Sequence, residues 1–235
     1  MQQLGCRRMD DYLQALEENP ERKEQAERLL TVSSSRFFRD RSLWQTLKNQ
    51  VLPMMIAKDS KRIKVWSAGC ACGEEAYSFK IVWEKLRGAF ERFPELELWA
   101  TDMNPEVIDK ARQGIYSASS LKELSPEQRS AYFQPADKGL WAIKDPLKEE
   151  VQWKVHNLIA DNPPQIGFQS IFLRNNLLTY YKRESQIPAF RRVVGSLAPG
   201  GVLVIGRREK LPCEANELSA LASHPYIFHK KEFAE

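Results

Sequence analysis

The 235-residue sequence lacks any apolar run of the roughly 20 residues needed to cross a bilayer. The N-terminal segment MQQLGCRRMDDYLQALEENPERKEQ also has no apolar core of the kind found in secretory signal peptides. These two absences predict a cytoplasmic protein that is not embedded in a membrane.

An excess of charge of one sign is also missing. There are 35 lysine and arginine residues against 31 aspartate and glutamate residues, so the formal net charge is only +4. Nucleic-acid-binding proteins usually gather their basic residues on one face or tail, whereas the basic pairs here are scattered along the chain. We therefore expect no nucleic-acid partner, and we take the protein to be a monomer.

Cysteine and histidine are scarce, with four and three residues respectively. Cys70 and Cys72 lie close together, but Cys6 and Cys213 are distant and form no second pair, and zinc sites usually need four nitrogen or sulfur ligands. Small residues in a tight turn explain the Cys70–Cys72 pair better. We predict reduced thiols, no metal and no disulfide framework.

What the sequence does contain, from Arg62 onwards, is an alternation of short apolar strands and amphipathic helices. IKVWSA reads as a strand, GCACG as a turn and EEAYSFKIVWEKLRGAF as a helix. LELWATD then reads as a second strand, and Pro105 opens the next helix. This order predicts an α/β protein with a Rossmann-like, doubly wound parallel sheet.

Three further segments complete the predicted organisation. Residues 1–60 read as a small helical N-terminal domain and residues 61–235 as the larger α/β domain. Residues 117–154, which end in VQWKV, read as a small antiparallel β insertion. Residues 226–233 are predicted to add a last edge strand.

The chemistry of the predicted turn indicates a nucleotide-like cofactor. Gly69 and Gly73 let a ligand approach the main chain beside a helix N-terminus, and Asp102 ends the next strand, where it can bond ribose hydroxyls. Neither a complete GxGxxG nor a P-loop is present, and Glu74 and Glu75 would repel a pyrophosphate. Acids suit S-adenosylmethionine, which is cationic and has no phosphate. Acids in the first turn also stabilise a helix, so this explanation stays open beside the first.

Seven segments also resemble, in the same order, motifs of the CheR family of chemotaxis receptor methyltransferases. They are SSSRFFRD, VWSAGCACGEEAYS, ATDMNPEVIDKARQGIY, LKELSPEQRSAYF, HNL, IFLRNNLLTYY and LAPGGVLVIGRREKL. The resemblance implies S-adenosylmethionine-dependent methyl esterification of glutamate side chains on the cytoplasmic helices of chemoreceptors. The product of the cofactor would be S-adenosylhomocysteine.

The resemblance also implies roles for individual residues. Asp102 would bind the ribose, Asn157 and Leu158 would flank the adenine, and Tyr180 would lie near the transferred methyl group. Arg39 and Arg174 are the candidates for catalytic contacts to the acceptor carboxylate. The full set implied to bind the cofactor is Ser35, Arg39, Ala68, Gly69, Gly73, Glu74, Glu75, Asp102, Met103, Asn157, Leu158, Arg174, Asn175 and Asn176.

The reaction needs no general base, because glutamate with a pKa of about 4.3 is already ionised at neutral pH. Catalysis would rest on alignment of the reacting groups in a site that excludes water, and arginine is the natural clamp for a carboxylate.

Several positions depart from the family pattern and leave alternatives open. RNNLLTYY has one residue more than the family's RNVLIYF, so Asn175 competes with Asn176, and Tyr180 with Tyr181, for the family positions. The helical front is short, which favours two other hypotheses: a scaffold that binds the cofactor or its product without methylating, and a methyltransferase with a different acceptor. A nicotinamide-dependent oxidoreductase is disfavoured by the missing third glycine.

Overall fold

The computed structural model describes residues 35–58 and 61–232, and the predicted helices before residue 35 lie outside these ranges. The described chain begins with helix α1, Arg41–Thr46, a π-helical turn, Leu47–Val51, and helix α2, Leu52–Ile56. Helical backbone angles continue from α1 through the π-helical turn into α2, and Pro53 lies two residues after that turn. An irregularity at this point is expected, because proline has no N–H group and its ring crowds the preceding turn.

The main sheet contains seven strands. They are β1 (Arg62–Ala68), β2 (Glu95–Asp102), β6 (Val151–Val155), β7 (Phe168–Leu173), β8 (Leu197–Ile205), β9 (Leu218–Leu221) and β10 (His224–Lys230). The helices beside it are α3 (Glu74–Arg87), α4 (Pro105–Gln113), α6 (Leu177–Tyr180) and α7 (Arg183–Ser196).

The strand order is β6-β2-β1-β7-β8-β10-β9, and the first five strands of this order are parallel. The chain winds outwards from β1 in one direction as far as β6 and then crosses to β7 on the other side of β1. This reversal opens a crevice at the carboxyl ends of β1 and β7, where ligands bind in doubly wound sheets. The predicted Rossmann-like α/β class is confirmed.

Two sequence-based assignments of strands were wrong. The segment VQWKV is not part of the antiparallel insertion: it forms β6 and pairs in parallel with β2, with Leu98 opposite Val151. Of its five residues only Val151 is buried, so this edge strand lacks the continuous apolar run of a central parallel strand. The last strand, β10, is not at the edge, because β9 lies outside it.

The insertion itself is a second sheet of three short antiparallel strands. They are β3 (Ile115–Tyr116), β4 (Phe133–Pro135) and β5 (Trp141–Ile143). Helix α5 (Pro126–Tyr132) lies between β3 and β4 in the chain. Ser125 and Gln128 form a capping box at the start of α5. Short single-turn 3₁₀ helices follow at Asp137–Gly139 and Asp145–Leu147.

The described segment 35–58 packs through aromatic side chains on both the insertion and the main sheet. Phe37 is fully buried and meets Tyr116 and Phe133 edge to face, and Trp44 stacks on Phe172 of β7. These contacts anchor residues 35–40 beside the carboxyl ends of the strands. The domain boundaries at residues 60 and 61 stay predictions, because residues 1–34 are not described. Across the described ranges, no helix has the length and apolar character required to span a membrane.

Candidate functional site

The loop between β1 and α3 turns sharply at two glycines. Gly69 and Gly73 have φ values of 84° and 89°, in the left-handed region that favours glycine. A Cβ atom on Gly69 would collide with the side chain of Asn176, and one on Gly73 would lie 2.8 Å from Trp153 Cη2. Both conformation and packing therefore require glycine at these two positions.

Asp102, at the end of β2, holds this loop in place. Its Oδ2 atom accepts a hydrogen bond of 3.0 Å from the N–H group of Ala71, and its Oδ1 atom accepts one of 3.0 Å from Asn104. Burial raises the pKa of Asp102, and the backbone N–H donors act in the opposite direction. Each carboxylate oxygen retains a further lone pair, which is the acceptor arrangement that a ribose diol requires.

Glu75 belongs to a buried ion network at the crevice. Its Oε1 atom accepts from the hydroxyl group of Ser67 at 2.7 Å, and its Oε2 atom accepts from Arg174 at 2.9 Å. The other terminal nitrogen of Arg174 donates to Asp40 at 2.5 Å and to the carbonyl oxygen of Arg39 at 3.3 Å. Both ends of the Arg174 guanidinium are therefore engaged within the protein.

Glu74 is the neighbouring acid, and its surroundings are very different. It is 3% exposed, and its Oε2 atom has no hydrogen-bond partner in the described part of the chain. Burial raises the pKa of its carboxyl group to about 7, although hydrogen bonds from its own backbone and from Ser120 oppose the shift. A buried acid with an unpaired oxygen is suited to receive a cation.

Glu74 and Asp102 together provide a test of whether the crevice suits S-adenosylmethionine. The unpaired oxygen of Glu74 matches a positively charged group such as an ammonium, and the free lone pairs of Asp102 match a ribose. No basic side chain donates to either carboxylate among residues 35–58 and 61–232, so nothing there is arranged for a pyrophosphate. The free carboxylate oxygens of Glu74 and Asp102 therefore fit a cationic, phosphate-free adenosine cofactor.

The segment after β6 forms a compact turn. The N–H group of His156 donates to the carbonyl oxygen of Asp102 at 2.9 Å, which ties the turn to β2. The Oδ1 atom of Asn157 accepts from Ile159 at 2.9 Å, and Leu158 is buried. The backbone N–H group of Asn157 donates to Asp161 at 2.8 Å, but the side-chain Nδ2 atom is not used in this turn, so the residue retains the donor that an adenine contact would need.

The loop after β7 depends on Glu209, a residue that sequence reasoning did not assign to the site. Its Oε2 atom accepts from the N–H groups of Asn175 at 3.0 Å and Gly206 at 2.6 Å, and its Oε1 atom accepts from the Thr179 hydroxyl group at 2.5 Å. Glu209 therefore ties the loop after β8 to the loop after β7. The family-like motif GRREKL contained this residue, but the motif alone did not indicate the contact.

The two asparagines and the two tyrosines that compete for the family positions have different surroundings. Asn176 packs against Gly69, while Asn175 lines a cavity. The hydroxyl group of Tyr181 points at Met103 Sδ, at 3.2 Å, whereas the side chain of Tyr180 is 46% exposed. Tyr181 therefore lies beside a predicted cofactor-binding residue, and which tyrosine fills the family position stays a prediction.

Backbone strain is concentrated at this site. Six non-glycine residues in the described ranges have positive φ, and four of them surround the crevice: Phe38, Asp40, Ala71 and Asn175. Such conformations persist only where the surroundings fix them, and they cluster at functional sites. At Asn175 and Ala71 the fixing contacts are the hydrogen bonds to Glu209 and Asp102.

Asn175 also lines a polar cavity of about 470 Å³. It is lined by Arg36, Arg39, Asp40, Asn175, Arg207 and Arg208. Ser35 is partly buried just before this wall. Of the predicted site residues, Arg39 and Asn175 thus face this cavity, while Glu74, Glu75 and Asp102 belong to the loop after β1 and its neighbours.

The cysteines of the loop are poor candidates for chemistry. Burial raises the pKa of the Cys70 thiol, and burial together with Glu74 raises that of Cys72 to about 11. Both therefore stay protonated at neutral pH, whereas the thiolate is the form that binds metals or attacks. Across the described residues, no group of three or more potential ligands is placed to hold a metal ion.

Comparison with known proteins gives consistent results. A family described as "CheR methyltransferase, SAM binding domain" matches residues 33–227. A chemotaxis protein methyltransferase of Listeria innocua is 33% identical over 184 residues, which are 78% of this chain and 67% of that protein. Chemotaxis protein methyltransferase 1 of Pseudomonas aeruginosa is 29% identical over 236 residues, 98% of this chain and 85% of that protein.

Solved structures with a related fold include a TehB-like SAM-dependent methyltransferase from Corynebacterium glutamicum. It is 15% identical, with a TM-score of 0.45, over 82% of this chain and 95% of that one. At this level of similarity the likeness does not extend to individual residues or to function.

Proposed function

The chain belongs to the CheR family of S-adenosylmethionine-dependent methyltransferases, and from this premise we propose that it esterifies glutamate side chains of chemoreceptor proteins. One observation supports this site most directly: a buried acid, Glu74, and a partly buried one, Asp102, line the first loop with oxygen lone pairs to spare. S-adenosylmethionine, when bound, supplies an electrophilic methyl group on a sulfonium.

We assign Asp102 to the ribose, because it is rigidly held and can accept two more hydrogen bonds. Glu74 is assigned to the cationic amino acid part of the cofactor, because its unpaired oxygen has the complementary charge. Asn157 and Leu158 are assigned to the adenine. Ala68, Gly69 and Gly73 supply the close approach of the main chain, and Met103 and Tyr181 border the same crevice.

Glu75 and Arg174 have a supporting role in this proposal. Arg174 uses both terminal nitrogens on Glu75, Asp40 and the carbonyl oxygen of Arg39, and its remaining Nε atom is shielded from solvent and has no partner in the described ranges, so it offers no accessible pair of donors to a second carboxylate. It instead holds the N-terminal segment against β7, and so positions Arg39. Asn176 positions the glycine loop by packing on Gly69.

Arg39 is then the side chain best suited to meet the acceptor carboxylate. It lines the polar cavity with Asn175, and it has no ion-pair partner in the described ranges. A guanidinium can orient an ionised carboxylate through two parallel hydrogen bonds. The acceptor needs no general base because it is already ionised, so the work of these residues is alignment and exclusion of water.

The proposal is tested by incubating the protein with S-adenosylmethionine labelled in the methyl group and the cytoplasmic domain of a methyl-accepting chemoreceptor. We expect label on the receptor that is released as methanol in mild base, which is characteristic of a carboxyl ester. A receptor domain with glutamine in place of its acceptor glutamates serves as the control. Base-stable label would contradict ester formation, and cofactor binding without any label would favour a scaffold.

A further inference from the structure

The turn after β6, residues 156–162, is closed by the side chain of His156. Its Nε2 atom donates to the carbonyl oxygen of Asn162 at 2.9 Å, while its backbone N–H group donates to the carbonyl oxygen of Asp102. The ring of His156 also meets Trp66 of β1 edge to face, with 5.6 Å between the ring centroids. His156 therefore joins the two ends of the turn and fixes them beside β1 and β2.

Arg192 of helix α7 bonds the middle of the same turn from a distant part of the chain. Its Nη2 atom donates to the carbonyl oxygens of Leu158 at 3.2 Å and Ile159 at 2.5 Å. Within the described ranges no carboxylate forms an ion pair with Arg192, and its Nε atom is shielded from solvent and has no hydrogen-bond partner. This guanidinium is partly buried, so the two carbonyl oxygens replace hydration that it has lost.

The bonds from Arg192 continue through the turn to Asn157. The peptide group that contains the carbonyl oxygen of Leu158 also contains the N–H group of Ile159, which donates to Asn157 Oδ1 at 2.9 Å. In the next peptide group, the N–H group of Ala160 donates to the carbonyl oxygen of Asn157 at 3.2 Å. Hydrogen bonds in series polarise one another. Arg192 therefore strengthens the two bonds that orient Asn157.

The groups of this turn that stay free are hydrogen-bond donors. The carbonyl oxygens of Asn157, Leu158 and Ile159 all accept within the protein, and so does Asn157 Oδ1. The Nδ2 atom of Asn157 and the N–H group of Leu158 have no acceptor among the described residues. The ring nitrogens of adenine are acceptors, so the free donors of the turn are complementary to them.

We propose that Arg192 is a positioning residue for the adenine of the cofactor: through the peptide groups of Leu158 and Ile159 it holds Asn157 with its Nδ2 atom directed at the base, and it does not itself touch the cofactor. The inference rests on the proposed function, because it takes the adenine to lie against Asn157 and Leu158. It adds helix α7 to the elements that form the cofactor site.

The test is a double-mutant cycle, with the binding of S-adenosylhomocysteine to the full chain measured by calorimetry. Arg192→Met removes the guanidinium but keeps a long side chain, and we expect the affinity to fall about tenfold. Asn157→Ala alone should cause a similar loss. Because Arg192 acts through Asn157, Arg192→Met should add less than about a twofold loss in the Asn157→Ala background. In the Asp102→Asn background, which affects the ribose, it should still cost about tenfold.

Two further variants control for charge and for folding. Arg191→Met removes the same charge from the exposed neighbour on helix α7, and we expect less than about a twofold change in affinity. Arg192→Lys should recover part of the lost affinity, because an ammonium group can still donate to a carbonyl oxygen. If Arg192→Met does not fold, Arg192→Gln takes its place in the cycle.

Failure of the proposed function and failure of this inference give different results. Wild-type protein that does not bind S-adenosylhomocysteine contradicts the proposed function itself. If the wild type binds, unchanged affinity in Arg192→Met or in Asn157→Ala overturns the inference alone. Additive losses for Arg192→Met and Asn157→Ala overturn it as well. Equal non-additivity with Asn157→Ala and with Asp102→Asn would do the same, because Arg192 would then stabilise the whole crevice and not the contact to adenine.

Discussion

The two sides of the crevice carry opposite charges. The charged groups of the acidic side are mostly bonded within the protein, whereas those of the basic side are mostly unpaired. The acids near the first loop are buried or partly buried, and most of their oxygens are bonded within the protein: Glu75 to Ser67 and Arg174, Asp102 to two backbone N–H groups. The arginines beside Asn175 line an open cavity; Arg39, Arg207 and Arg208 lack carboxylate partners in the described ranges, and Arg36 has only Glu123, at 3.7 Å. The first side is therefore preorganised, and the second is left to be completed by a ligand.

This difference suits a reaction that joins a cation and an anion to give neutral products. An acidic wall attracts a sulfonium cofactor and a basic wall attracts a carboxylate. After transfer the methyl ester is uncharged, so the basic wall no longer retains the acceptor by charge, whereas Glu74 still faces the amino group that the thioether product keeps. The arrangement that gathers both reactants thus favours release of the methylated acceptor.

The largest expected effect comes from breaking the internal neutralisation on the acidic side. Arg174→Met would leave Glu75 and Asp40 without their shared cation, and removal of one partner of a buried ion network costs about 3–5 kcal/mol of unfolding free energy. Urea denaturation measures this loss.

Arg208→Met, on the open side, is the matched control, and we expect a change of less than about 0.5 kcal/mol for such an exposed residue. If the two variants lost similar stability, the contrast between a preorganised and an open side would be wrong.

The second effect is the pH dependence due to Glu74. Its pKa is about 7 in the folded protein against an ordinary 4.5, so between these values the folded state holds a proton that the unfolded state has lost. The free energy of unfolding therefore falls as pH rises through this window, by on the order of 3 kcal/mol. Denaturation at pH 5, 6, 7 and 8 measures the slope.

Glu74→Gln should flatten that slope and make the variant more stable than wild type at pH 8. Glu106→Gln, at an exposed position in the first turn of α4, should leave the slope unchanged. If unfolding free energy varied with pH in the same way for wild type and Glu74→Gln, the carboxyl group of Glu74 would not be desolvated. Glu74 would then no longer be the strongest candidate on the acidic side for binding a cation.

The third effect concerns Asp102. In Asp102→Asn one carboxylate oxygen becomes an amide donor, which faces an N–H group of Ala71 or Asn104 and cannot accept from the ribose. We expect the affinity for S-adenosylhomocysteine to fall by about 1–3 kcal/mol, measured by calorimetry. Asp137→Asn, in an exposed turn of the insertion, controls for the loss of charge. Unchanged affinity in Asp102→Asn would move the ribose away from β2.

The contrast between the two sides also marks how far sequence could lead. The acidic side is local in the chain: glycines, acids and the strand end that carries Asp102 follow one another in a pattern with a physical reason. The basic side is assembled from residues far apart in sequence, Arg36 and Arg39 in one segment and Arg207 and Arg208 in another. Only the strand order that places β8 next to β7 brings them together.

The errors in the strand assignment have a related cause. The periodicity of a strand reports how many of its residues are buried, not which strand it pairs with. The edge strand β6 buries only Val151, so its pattern did not distinguish a parallel edge of the main sheet from a short hairpin. The pattern did not indicate the role of Glu209 either, because its three hydrogen-bond donors are distributed over the loop after β7, helix α6 and the loop after β8.

The smallest of the effects sharpens the basic side. Arg39→Gln removes the guanidinium best placed for the acceptor carboxylate but leaves its carbonyl oxygen, which bonds Trp44 and Arg174, in place. We expect kcat/KM for a receptor substrate to fall about tenfold, which corresponds to one charge-assisted hydrogen bond, with the affinity for S-adenosylhomocysteine unchanged. Arg39→Lys should recover part of the loss by restoring charge without the fork of parallel donors. If the affinity for S-adenosylhomocysteine fell as much as kcat/KM, Arg39 would instead contact the cofactor. Arg39 would then belong to both sides of the crevice and not to the acceptor side alone.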